Sequence, residues 1–140
     1  TIYGGQGAQK KIIDIIYDST KDQIPIDLTP GEQVLDFIHI DDVTDFYILV
    51  IRKIDDLSNK TNFKLGSGIG HSLKELAAKI EVITQRKANI NWGGNKYRKS
   101  DIMHAVADIS NIKKIFGWQP KILLESGLLK FVELKEFLKK

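Results

Sequence analysis

Six consecutive residues, Phe46-Tyr47-Ile48-Leu49-Val50-Ile51, constrain this chain more than any other stretch. The flanking sequence predicts a helix that Asp41 or Asp42 caps and that runs to about Asp55. On that helix Val43, Tyr47, Val50 and Ile54 form one stripe. Phe46, Ile48, Leu49 and Ile51 cover most of the remaining circumference. A helix apolar on so many sides needs apolar partners on two faces. Taken alone, the run also fits a buried strand. Each Leu or Ile left in water there forgoes ~1.5–3 kcal/mol of burial.

The rest of the chain must supply those partners. Its 140 residues, 42% of them hydrophobic, amount to one domain's worth, and we expect a single region over 1–140. A chain of that size buries roughly 70% of its extended surface, so a core can hold it without disulfides or metal. There is no cysteine, which excludes a disulfide framework, a thiolate zinc site, an iron–sulfur cluster and a cysteine nucleophile. That usage fits a reducing compartment and predicts a cytoplasmic protein. Lys and Arg number 21 against 18 Asp and Glu, a net charge of +3. The basic residues gather only at Lys96 to Lys99 and at Lys139-Lys140. This is no basic stripe for nucleic acid, although it suits a small anionic ligand. No apolar run approaches the ~20 residues of a membrane helix, so no membrane association is expected. No secretory signal is visible. The sequence starts at Thr1 rather than Met, which predicts a fragment or a processed product.

Helical and extended signals alternate, the pattern of an α/β protein, with helices and short strands. Residues 8–21 predict a helix with Ile12, Ile13, Ile16 and Tyr17 on one face. Ile24 to Leu28 predicts a strand that Pro25 confines to an edge, followed by a Thr29-Pro30-Gly31 turn. Val34 to Ile40 predicts a second strand and Asn62 to Leu65 a third. Ser72 and Glu75 have capping-box spacing at the head of a helix whose buried face is Leu73, Leu76, Ala77 and Ile80. Ala88 to Trp92 is a short strand that ends at Gly93-Gly94. Ser110 caps a helix over 111–116 that Gly117 stops. A last helix starts at Leu123 or Glu125 and turns Leu128, Phe131, Val132 and Leu138 inward.

Candidate chemistry is sparse. Tyr17 and Lys21 have the Y-x-x-x-K spacing in which lysine lowers a phenol pKa for acid–base work. Tyr17, however, shares the apolar face of its helix, and no dinucleotide fingerprint precedes it. Gly66-Ser67-Gly68-Ile69-Gly70 is spaced G-x-G-x-G, not G-x-G-x-x-G, and reads as a tight strand-to-helix turn. The helix start beside it could hold an anion. His39, His71 and His104 lie far apart without ligand spacing, so no metal site is expected. Asp36, Asp41, Asp42 and Asp45 crowd one region, as helix capping and solvated charge explain. Asn59-Lys60-Thr61 is a glycosylation sequon without a secretory route. Arg98, flanked by Lys96 and Tyr97 after the Gly93-Gly94 turn, is the residue best suited to phosphate, through its planar guanidinium fork.

Several blocks then align with one family. Tyr3-Gly4, followed by Gly31-Glu32-Gln33-Val34-Leu35-Asp36-Phe37-Ile38-His39-Ile40-Asp41-Asp42-Val43, resembles a "YGP … G-x-x-R-D-F-I-H-V-D-D-V" signature. Phe63 to Gly68 with Ser72 resembles "F-N-I-G-S-G … S", and Arg98 to Asp101 resembles "R-x-G-D". Asp108-Ile109-Ser110, Phe116 to Pro120 and Glu125 to Leu128 resemble "D-x-S-K … L-G-W-x-P … E-E-G-L". In order and spacing the chain resembles the extended short-chain dehydrogenase/reductase family of nucleotide-sugar epimerases, dehydratases and reductases. The finer flavour of Asp27 to Gln33 and Tyr97-Arg98 is similar to enzymes making CDP- or dTDP-linked deoxysugars.

The resemblance implies the C-terminal, nucleotide-sugar-binding region of a Rossmann-type enzyme of deoxysugar or cell-surface polysaccharide biosynthesis. The family's N-terminal half holds the NAD or NADP fingerprint and the catalytic set, and neither is in this chain. No catalytic residue is therefore expected here. By the same resemblance, the strand at Pro25, Ile26 and Asp27 touches the base, Arg98 grips the diphosphate, and Tyr3 adds to the site. A second family arginine is replaced here by Leu35, for which Lys96 or Lys99 could substitute, and the usual proline after Tyr-Gly is replaced by Gly5. The expected partners are a nucleotide-diphosphate sugar, the absent Rossmann half and a second copy in a homodimer. The alternatives are a standalone nucleotide- or phosphate-binding module and an inactive interaction domain.

Overall fold

A computed structural model of the chain describes residues 1–5, 9–22, 24–57 and 62–138. The sequon at 59–61 and the terminal Lys139-Lys140 lie outside them. The stretch 34–40 is not one strand. It divides at Phe37 into β3 (Val34–Asp36) and β4 (Ile38–His39), which join different sheets. β4 lies parallel to β1 (Ile2–Tyr3), with Tyr3 opposite His39. β3 is the centre of a sheet of order β5-β3-β7, antiparallel to β5 (Gly70–Ser72) and parallel to β7 (His104–Ala105). A third ladder pairs β2 (Ile26–Leu28) in parallel with β6 (Ile90–Trp92), Asp27 opposite Asn91. With five helices among the described residues, the architecture is α/β.

The helices form close to where periodicity puts them. They are α1 (Ile12–Ser19), α2 (Ile40–Arg52), α3 (Leu73–Thr84), α4 (Ser110–Phe116) and α5 (Leu124–Phe137). Ser72 and Glu75 cap α3 reciprocally, at 3.1 and 2.8 Å. Ile13, Ile16 and Tyr17 of α1, Leu76, Ala77 and Ile80 of α3, and Leu128, Phe131 and Val132 of α5 make the larger core. Leu138 is exposed, as is Phe137 beside it, because the last turn of α5 runs past the larger core, to which Val132 is the helix's final buried contribution. Ser110 is the first residue of α4 rather than its cap. Its N–H donates to the Asp108 carboxylate at 3.0 Å, and Gly117 ends the helix at φ +63°.

Asp41 and Asp42 do not cap α2. The cap is His39, whose Nδ1 accepts the Asp41 N–H at 3.2 Å. Asp42 is buried and accepts the N–H groups of Lys121 and Ile122, both at 3.0 Å, tying the loop before α5 to α2. The helix buries Val43 and Phe46 in a second core with Ile38, Ile112 and Trp118. Phe46 meets Phe63 and Phe116 edge-on and Trp118 at a tilt. Tyr47 and Ile54, expected in the buried stripe, are instead 61% and 59% exposed, as is Ile51 at 65%. Residues 62–65 form no strand. Among the described residues no segment pairs with them in a ladder, and Phe63 and Leu65 contribute side chains to the second core instead.

Candidate functional site

The site is assembled on the end of β2. Beyond β6 the chain turns at Gly93, at φ +85°, where a glycine meets no steric cost. The returning loop fastens to β2, because the N–H groups of Gly93 and Asn95 donate to the Leu28 carbonyl at 3.0 and 3.1 Å. The Asn95 side-chain amide donates to the Asp27 carbonyl at 2.7 Å. Farther on, the Tyr97 hydroxyl accepts the Glu32 N–H at 3.0 Å, joining the loop to the turn after β2. Asp101 closes the end, accepting the Arg98 N–H at 2.9 Å and donating its own N–H to the Arg98 carbonyl at 3.0 Å.

A cleft of about 390 Å³ opens between this loop and β2. Ile12, Leu28 and Leu73 form its apolar part, and Thr29, Gln33, Asn95, Lys96, Arg98 and Asp101 its polar part. The Thr29 hydroxyl donates to Gln33 Oε1 at 2.8 Å. Among the described residues no carboxylate pairs with the Arg98 guanidinium or the Lys96 ammonium, so two cations face the cleft with open hydrogen-bonding capacity. Unpaired donors of this kind suit an anion with several oxygens.

Of the residues read from sequence, Arg98 lines the cleft, and so does Lys96, while Lys99 does not. Pro25 and Asp27 are exposed and Ile26 half-buried just upstream of the lining residues Leu28 and Thr29, and the Asp27 carboxylate accepts from the Asn91 amide at 2.8 Å. Tyr3 stands apart. It is buried edge-on to His39, its hydroxyl donates to the Leu124 carbonyl at 3.4 Å, and burial raises its phenol pKa. Leu35 packs against the larger core. Thr29, Gln33 and Asn95 were missed. Their signal is a polar residue flanking each of two glycine turns, which by itself does not say that the turns meet.

The rival features are spent on structure. The Gly66-to-Gly70 turn wraps the buried Asp36 carboxylate, which takes the Ser67 N–H and hydroxyl at 2.7 and 2.6 Å and the Gly68 N–H at 2.9 Å. Those donors are thus unavailable to a pyrophosphate, and the turn does not fit a dinucleotide. Asp36 and Asp42 are buried anchors, not solvated charges. Lys21 does reach the Tyr17 hydroxyl, at 2.5 Å, and that hydroxyl donates to Glu136 at 2.8 Å. Burial nonetheless raises the Tyr17 pKa, the opposite of what an acid–base tyrosine needs. A larger groove of about 590 Å³ between α3 and α5 has mainly apolar walls; its Lys79 and Glu125 pair with each other and Glu75 caps α3. No metal-binding cluster occurs among the described residues. Nor is any helix among them long and apolar enough to cross a membrane.

No protein-family model matches the chain. It is 29% identical over 130 residues to CDP-abequose synthase of Salmonella typhimurium, covering 91% of this chain and 43% of that protein. The corresponding synthase of Salmonella muenchen is 30% identical over 135 residues, covering 96% of this chain and 45% of the relative. The chain thus spans less than half the length of these relatives. Its fold matches UDP-glucose 4-epimerase of Thermotoga maritima, solved with UDP-glucose, at a TM-score of 0.85 and 23% identity, over 99% of this chain and 44% of that one. GDP-mannoheptose C4 reductase of Campylobacter jejuni, solved with NADP, matches at 0.76 and 20% identity, over 96% and 47%.

Proposed function

Because the chain belongs to the extended short-chain dehydrogenase/reductase family, we propose that it forms the nucleotide-sugar side of an NAD(P)-dependent epimerase, dehydratase or reductase of deoxysugar synthesis. The observation that carries this is the Arg98 cleft: two cations without carboxylate partners among the described residues, beside a half-apolar floor of a size suited to a nucleotide. Arg98 and Lys96 hold the diphosphate, and the end of β2 with the Thr29 turn meets the nucleoside. The hydride exchange with NAD or NADP that such enzymes carry out at a sugar ring carbon is assigned to no residue of this chain.

Calorimetric titration with CDP and UDP tests the reading. Arg98→Ala should weaken binding by about 1.5–3 kcal/mol, the worth of a charge-assisted hydrogen bond. Equal affinity of variant and parent removes the reading. NAD(P) should not bind this chain; saturable binding near ~1 μM, roughly 8 kcal/mol, would contradict the assignment.

A second reading, an interaction domain, is favoured by the bare face of α2, where Tyr47, Ile48 and Ile51 are exposed together. Within the first reading, that face takes the remaining part of the relatives' length, or a second copy of this chain.

A further inference from the structure

We propose that Tyr97 is a positioning residue for Arg98, acting through a latch between its hydroxyl and the backbone N–H of Glu32. The inference rests on the nucleotide-sugar reading above.

Among the described residues Arg98 has no side-chain partner that orients it, so its aim depends on where its backbone is held. Two ties bracket that backbone. On one side, Asp101 accepts the Arg98 N–H at 2.9 Å. On the other, the half-buried Tyr97 reaches across the cleft's rim to the Glu32 N–H at 3.0 Å, 65 residues away in sequence. The Asp101 tie is local and shapes a turn. The Tyr97 tie reaches from the turn to the segment 29–33, which supplies Thr29 and Gln33 to the same cleft, and it lies between the Asn95–Leu28 and Val34–Met103 backbone bonds that hold the loop at either end. The hydroxyl thus holds the middle of the loop, where Arg98 sits, at a fixed distance from the wall beneath the nucleoside. Gly31 strengthens the arrangement. Its φ is +78°, and a Cβ there would strike the Trp92 ring, so the turn carrying the Glu32 N–H is itself held. An anchored arginine gives up less freedom on gripping a phosphate than one on a loose loop.

Tyr97→Phe keeps the ring and removes only the acceptor. It should weaken UDP and CDP binding about three- to tenfold, the worth of one neutral hydrogen bond, and leave uridine and cytidine unaffected. In an Arg98→Ala background the same change should cost nothing further. Losses that extend equally to the nucleosides, or persist without Arg98, overturn the latch. So does an unchanged affinity in Tyr97→Phe when Arg98→Ala is weakened, an outcome that leaves the functional reading intact. Arg98→Ala without effect defeats that reading, and the latch with it. Hydrogen exchange in the ligand-free chain adds a further measurement: Tyr97→Phe should speed exchange at the Glu32 and Arg98 amides, and unchanged protection there overturns the latch whatever the ligand does.

Discussion

Asp36 is a buried carboxylate satisfied by the Ser67 N–H and hydroxyl, the Gly68 N–H and the Ala107 N–H, the last at 3.1 Å. It joins β3, the glycine turn and the segment before α4 at one point. Asp36→Asn should cost about 1.5–3 kcal/mol in urea unfolding, because an amide offers one acceptor oxygen and brings an unwanted donor. His39 works differently. Burial pushes its pKa below the ordinary value, the main opposing influence being Asp41, with Asp42 raising it as well and Lys130 lowering it. The folded state therefore favours neutral imidazole, as the Nδ1 acceptor at the head of α2 requires. With the folded pKa depressed, the unfolded chain binds the proton first. Stability should be full above the unfolded value of about 6.5 and fall as pH drops through that value toward the folded one. His39→Asn keeps a cap acceptor, and its stability-versus-pH curve should be flatter over that interval.

At the scale of elements, α3 closes on Gln85 at φ +54°, the one non-glycine residue in the left-handed region among those described. A Cβ is disfavoured there, so Gln85→Gly should raise stability by about 0.5–1 kcal/mol in thermal unfolding. Gly117 is the complementary case. At φ +63° it has no neighbour within 4 Å of a would-be Cβ, so Gly117→Ala tests backbone strain without a clash. It should destabilise by about 1 kcal/mol. The buried faces of α1, α3 and α5 were legible because each has a buried stripe at helical spacing, although α1 begins at Ile12 rather than at residue 8 and ends at Ser19 rather than at 21. The division of 34–40 into β3 and β4 was not. A short extended stretch carries no mark for the residue at which its hydrogen-bonding partner changes, and here that residue is Phe37.

For the whole molecule, the crowded helix α2 is satisfied on one side only. Phe46 fills the second core, while Tyr47, Ile48, Ile51 and the following Ile54 remain 43–65% exposed. Contiguous apolar surface of this kind marks an interface. The isolated chain should self-associate through it, with light scattering showing a mass that falls on dilution. Ile51→Glu should shift the chain to monomer while leaving its circular dichroism unchanged. A parent that stays monomeric at high concentration, with no dye-accessible apolar surface, would mean that nothing docks on this face.

Local periodicity and spacing determined the α/β class, the buried faces of the main helices and the Ser72–Glu75 cap. These depend on residues a few positions apart, whose geometry the backbone dictates. Tertiary structure decided what depends on distant segments meeting. It set Asp36 and Asp42 inward as anchors, gave the cap of α2 to His39, and left 62–65 without a partner strand among the described residues. It buried Tyr3 away from the cleft and brought Thr29, Gln33 and Asn95 up to Arg98. A buried polar side chain takes whichever donor or acceptor the fold carries to it, and that choice is made across tens of residues, beyond the reach of any local pattern.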